Sequence, residues 1–105
     1  MVRANQEEAE GGMEVKGSTF LATRAIQVER ERQEALKEQG RFTHTLADDG
    51  LTDAERLAVI MEEVGELARE VMTGKNHDGE GRIREELTQV AALSLAWLER
   101  FQDDG

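Results

Sequence analysis

The sequence predicts an all-α fold, an antiparallel helical bundle of about three main helices that assembles as a homo-oligomer. Three observations carry this prediction. The chain contains no proline, which fits helices with few sharp breaks. Three segments repeat their apolar residues at the helical period. Each of them is bounded by capping residues or glycine.

The first helix is expected from about Thr19 to Gln39, with Ser18 or Thr19 as its cap and Gly40 as its stop. Its apolar positions are Leu21, Ala25, Val28, Ala35 and Leu36. The mixed-charge run Glu29–Glu34 in its middle reads as a solvated face laced with local ion pairs. Arg41 to Gly50 is expected to be a loop ending in the turn formers Asp48-Asp49-Gly50. In it, Phe42 is expected to pack back on the core and His44 to be a polar loop residue.

The second helix opens on the capping box Thr52-Asp53-Ala54-Glu55 and closes at Thr73-Gly74. Its stripe is Leu57, Ile60, Met61, Val64, Leu67, Ala68 and Val71. The third is expected from about Glu80 to Phe101, with Ile83, Leu87, Val90, Ser94, Trp97, Leu98 and Phe101 on its stripe. His77, between these helices, reads as a residue of a flexible glycine-rich linker. From Val90 to Leu98 the third helix is apolar nearly all round. Such a helix must be buried on every side, and two companions cannot easily cover it, so a partner subunit is expected.

At 105 residues the chain is one domain, near the lower end of the size that buries a self-sufficient core. Residues 1–17 read as a flexible acidic tail, with Met13 an alternative start, and 18–103 as the helical domain. The absence of cysteine excludes disulfides and thiol chemistry. A net charge of −10 argues against unaided binding to nucleic acid or to an anionic membrane. No apolar run reaches the roughly 18 residues that span a bilayer. A soluble, cytoplasmic protein is the expectation.

Candidate chemistry lies in the carboxylates. Glu63 and Glu66 are three apart and share a helix face. Like charges so close are unfavourable unless a cation lies between them. Glu86 projects among Ile83, Val90, Leu93 and Trp97, where an unpaired carboxylate is costly to desolvate. Gln89 lies three residues further on the same flank. Across an antiparallel helix pair, three carboxylates and an amide oxygen form a hard, oxygen-only site suited to Mg²⁺ or Mn²⁺. The competing expectation pairs Glu86 with Arg24, Arg30 or Arg82.

Glu63-Val64-Gly65-Glu66-Leu67 followed by Glu86-Leu87-Thr88-Gln89-Val90 resembles the paired acidic motif of MazG-like, all-α nucleoside triphosphate pyrophosphohydrolases. That motif is E-x-x-E, a variable linker, then E-x-x-D at the head of an apolar helix. The resemblance covers roughly Thr19 to Phe101. The stretch Glu29–Lys37 with Gly40-Arg41-Phe42 is similar to the first-helix region of phage and bacterial members. The resemblance implies Mg²⁺-dependent hydrolysis of a nucleoside triphosphate to monophosphate and pyrophosphate by a homodimer or a dimer of dimers. It implies Glu63, Glu66 and Glu86 as metal ligands, with Gln89 at the fourth position. Glu62 is then placed to polarise the attacking water, and Gln33, Lys37 and Phe42 to contact the nucleotide. Gln89 departs from the motif's Asp and brings no negative charge. The alternative is a non-catalytic relative that keeps the fold for oligomeric interaction or nucleotide sensing. A third possibility is a small structural bundle in which the acidic pairs arise by chance.

Overall fold

The computed structural model describes residues 16–73 and 79–102 of the chain. Residues 1–15 of the expected tail, the 74–78 linker with His77, and the chain end from 103 lie outside the described residues. Within them the protein is all-helical. Helix α1 spans Gly17–Glu38, α2 Asp53–Thr73 and α3 Gly79–Glu99, and a 3₁₀ turn, Arg100–Gln102, extends α3. Among the described residues, no helix is long and apolar enough to cross a membrane.

The ends follow local chemistry. The capping box of α2 forms in both directions: Thr52 N–H donates to Glu55 Oε1 at 2.8 Å, and Glu55 N–H to Thr52 Oγ1 at 3.0 Å. Helix α1 stops because Gly40 adopts φ 79°, a left-handed conformation that a side chain would strain. Its N–H returns to the Lys37 carbonyl at 2.9 Å. The start of α1 differs from expectation. Lys16 occupies the cap without a side-chain bond, so Ser18 and Thr19 lie inside the helix and cap nothing.

Helix α3 is the central element. It packs on α2 and on α1, while α1 and α2 do not pack on each other. Ala92 and Ala96 are fully buried, because small side chains let both neighbours approach the same stretch of α3. Splaying α1 from α2 leaves the expected core stripes half covered. Leu57, Met61, Val71, Leu87, Leu98 and Phe101, all placed on those stripes by periodicity, are exposed in the single chain. The sequence pattern marks which faces are apolar but not whether a neighbour from the same chain reaches them.

A second well-buried region lies around the α1–α2 loop. Leu46 is 3% exposed and Arg56 2%. Arg56 Nε donates to the Leu46 carbonyl at 2.9 Å and Nη2 to the Asp48 carbonyl at 2.6 Å. Lys37 Nζ holds Asp48 Oδ1 at 2.7 Å, and the Thr45 N–H takes Asp48 Oδ2 at 3.0 Å. Arg100 reaches Asp49 at 2.6 Å. The mixed-charge run of α1 is likewise only partly a solvated face. Glu29–Arg32 is a local pair, but Arg30 and Gln33 are buried, and Arg30 crosses to Glu99 of α3.

Candidate functional site

Glu63 and Glu66 stand one turn apart on α2, and Glu86 faces them from α3. One carboxylate oxygen of each lies within 4.8 Å of the others. The helical rise brings the first pair together, and the α2–α3 packing supplies the third. Among the described residues, none of the three is paired with a cationic side chain. Arg30 is committed to Glu34 and Glu99, and Arg82 to Glu70. Among the described residues Arg24 makes no ion pair, so the expectation that Arg24, Arg30 or Arg82 neutralises Glu86 is not met.

The electrostatics are accordingly unfavourable. Among the described residues, the Oε1 atoms of Glu63 and Glu86 are both buried without a hydrogen-bond partner. Burial, the adjoining Glu86 carboxyl and the charges of Glu66 and Glu62 push the Glu63 carboxyl up to about 7. A protonated Glu63 would relieve the repulsion. So would a cation, and the donor set is all oxygen, the chemistry that hard divalent ions take. Glu63, Glu66 and Glu86 are thus the residues that could hold such an ion.

A cleft of about 260 Å³ adjoins this cluster. It lies where α1 and α2 diverge, with α3 beneath and the clamped loop at one end. Its helical walls are three i,i+4 pairs, Glu29 with Gln33, Val59 with Glu63, and Gln89 with Leu93, together with Arg32. Glu63 thus belongs to both the carboxylate cluster and the cleft. Gln89 lines the cleft beside it. From the loop come Phe42, His44, Thr45 and Leu46.

Of the residues singled out from sequence, Glu63, Glu66 and Glu86 converge, while Gln33, Phe42 and Gln89 join Glu63 in the cleft. Glu62 is exposed on α2, close enough in charge to act on Glu63. Lys37 does not line the cleft; it clamps Asp48. Phe42 is 40% exposed and faces the cleft, so it is not packed into the core. Glu29, Arg32, His44, Thr45, Leu46, Val59 and Leu93 were not foreseen as lining residues. The helical ones were within reach, because each lies one turn or one residue from a residue already chosen. The loop residues His44, Thr45 and Leu46 were not, since only the long-range clamp on their loop brings them there. Comparison with protein-family models, with curated proteins and with solved structures gives no match.

Proposed function

We propose that the protein is a Mg²⁺-dependent nucleoside triphosphate pyrophosphohydrolase of the MazG-like kind, yielding monophosphate and pyrophosphate. The observation that carries the reading is the convergence of Glu63, Glu66 and Glu86 with two buried, unpartnered carboxylate oxygens. Those three residues would hold the metal, with the Gln89 amide oxygen as a neutral fourth donor. Mn²⁺ suits the same donors. The bound ion supplies Lewis acidity and inverts the local charge so that a polyanionic phosphate chain can approach.

The chain's own residues do the rest. Glu63 would have to be deprotonated to ligate, and since its carboxyl is pushed up to about 7, metal binding there would be coupled to loss of a proton. Glu62 stands beside the cluster to orient and polarise the attacking water. The cleft next to Glu63 receives the nucleoside, with Phe42 at its mouth. Lys37 supports the loop from outside rather than touching phosphate.

Twelve large apolar residues are exposed among the described ones, against three buried apolar residues. This imbalance supports a homodimer or a dimer of dimers in which a second copy covers the faces of α2 and α3. Sedimentation at micromolar concentration should show a species larger than the monomer.

The enzymatic test is pyrophosphate release from a panel of ribo- and deoxyribonucleoside triphosphates with Mg²⁺. Release that disappears in Glu63→Gln is expected. Gln89, which lacks the motif's charge, favours one second reading, a non-catalytic nucleotide-binding relative. Nucleotide binding without release from any triphosphate would establish that reading instead.

A further inference from the structure

A polyphosphate carries more charge than a metal ion at the carboxylate cluster offsets. Glu63, Glu66 and Glu86 bring three negative charges, so one divalent ion still leaves that centre negative. A triphosphate that approaches it needs a further cation. Most nearby candidates are committed elsewhere. Lys37 is turned away to Asp48, Arg30 serves Glu34 and Glu99, and Arg56 holds the loop carbonyls. Among the described residues, Arg32 is the only arginine or lysine that lines the cleft.

Arg32 is held in a defined attitude. Glu29, one turn earlier on α1, accepts from its Nε at 2.9 Å and its Nη2 at 2.8 Å, a bidentate pair along one edge of the guanidinium. Nη1 makes no bond among the described residues. The Glu29 side chain is 14% exposed and that of Arg32 51%, so the anchor is covered and the guanidinium is accessible. The bonds from Glu29, then the charges of Glu29 and Glu85, raise its pKa further, and Arg32 stays cationic at any ordinary pH. Glu85 acts on it from α3, one residue before Glu86 and one turn before Gln89. Arg32 thus stands near the turn of α3 that contributes to the carboxylate cluster.

We infer that Arg32 is a phosphate-binding residue of the cleft, donating from the free edge of its guanidinium to a polyphosphate while Glu29 holds the other edge. The planar fork matches phosphate oxygens. An exposed i,i+3 ion pair adds little to stability, so loss of Arg32 should be felt in binding rather than in folding. That the polyphosphate belongs to a nucleotide rests on the hydrolase reading above.

The test uses the full chain in excess Mg²⁺ with inorganic tripolyphosphate as the probe, so that no base contributes and no turnover is needed. Affinity for the probe is read by calorimetry, and Mg²⁺ affinity and melting temperature are read beside it. Arg32→Gln should weaken tripolyphosphate binding at least about tenfold, with Mg²⁺ affinity and melting temperature unchanged. Arg32→Lys, which keeps the charge without the fork, should fall in between. Glu29→Gln, which removes a negative charge beside the anion, should bind the probe at least as tightly as the natural chain. Failure of the natural chain to bind tripolyphosphate, or unchanged affinity in Arg32→Gln, would overturn the inference. So would an equal loss in Glu29→Gln, which would leave the ion pair itself as the feature that matters, or a matching loss of Mg²⁺ affinity in Arg32→Gln. Arg32-dependent tripolyphosphate binding without pyrophosphate release from any nucleotide would sink only the hydrolase reading. Pyrophosphate release indifferent to Arg32→Gln would sink only this inference.

Discussion

Two groups of carboxylates in this chain meet opposite environments. At the loop clamp, Asp48 is held below its ordinary value by the Lys37 ammonium and the Thr45 N–H. Burial works against Glu34 there, but bonds from Arg30 and Thr45 outweigh it and hold its carboxyl low as well. At the α2–α3 cluster, burial and three neighbouring carboxylates drive Glu63 the other way, to about 7. Every acid at the clamp has a cation or a donor. The cluster has neither among the described residues, although Arg69 and Arg82 belong to the same pair of helices. The difference separates a charge network that holds structure together from one that stays strained until something positive arrives.

The largest effect expected is on the clamp. Arg56→Met would leave the buried Leu46 and Asp48 carbonyls without donors, at a cost of about 3 kcal/mol. Urea denaturation should show it as a lower midpoint with an unchanged slope. A loss below about 0.5 kcal/mol would mean that the loop is not held by Arg56.

The cluster should respond with the reverse sign. Without metal at about pH 8, Glu63→Gln should stabilise the fold by about 2 kcal/mol, since it removes a charge whose ionisation is disfavoured. With saturating Mg²⁺ the same variant should be the less stable protein, because it forfeits a ligand. Thermal melts of both proteins with and without Mg²⁺ read this crossover. A neutral or destabilising effect in the absence of metal would remove the distinction between the two groups.

Their pH dependences should also diverge. The folded value of Glu63, about 7, exceeds its ordinary 4.5. Its contribution to stability is therefore fully present below 4.5 and is lost as pH rises through about 7. Glu34 and Asp48 are depressed below 4.5 and 3.8. Their contribution is present above those ordinary values and is lost as pH falls through the lowered folded ones. A metal-free melting profile should thus fall on both sides of a mildly acidic maximum. Asp48→Asn should flatten the acid limb alone, and Mg²⁺ should lift the alkaline limb alone.

A smaller change is expected at position 89. Gln89→Asp adds a charge to the donor set and should tighten Mg²⁺ binding about tenfold, or about 1.4 kcal/mol. Identical titration curves for the two proteins would exclude position 89 from the site. Smallest of all is the Arg82–Glu70 pair, 3.6 Å apart with Arg82 largely exposed. Arg82→Gln should change stability by less than about 0.5 kcal/mol, which calibrates the larger figures.

Much of this arrangement was legible from local sequence. The box at Thr52 and Glu55, the stop at Gly40 and the mismatch between Glu86 and its apolar neighbours are short-range signals, and short-range geometry fixes them. The clamp was not legible. Arg56, eight to ten residues from its carbonyl partners, reads in sequence as a polar residue on an amphipathic helix, and only the tertiary fold of the loop buries it. Gln33 was singled out only through the resemblance, and its burial was not legible. It lies near the end of a charged run that looks solvated, yet α1 turns Gln33 inward. The apolar stripes gave the opposite error, because their periodicity describes a buried face without saying which chain buries it.

The most direct test of the carboxylate cluster is a calorimetric titration of metal-free protein with Mg²⁺ at about pH 7, repeated in buffers of different ionisation enthalpy. Binding accompanied by proton release is the predicted result, as Glu63 gives up its proton to become a ligand, and Glu63→Gln and Glu86→Gln should abolish it. No binding, or binding that persists unchanged in both variants, would contradict the assignment of these carboxylates as a metal site.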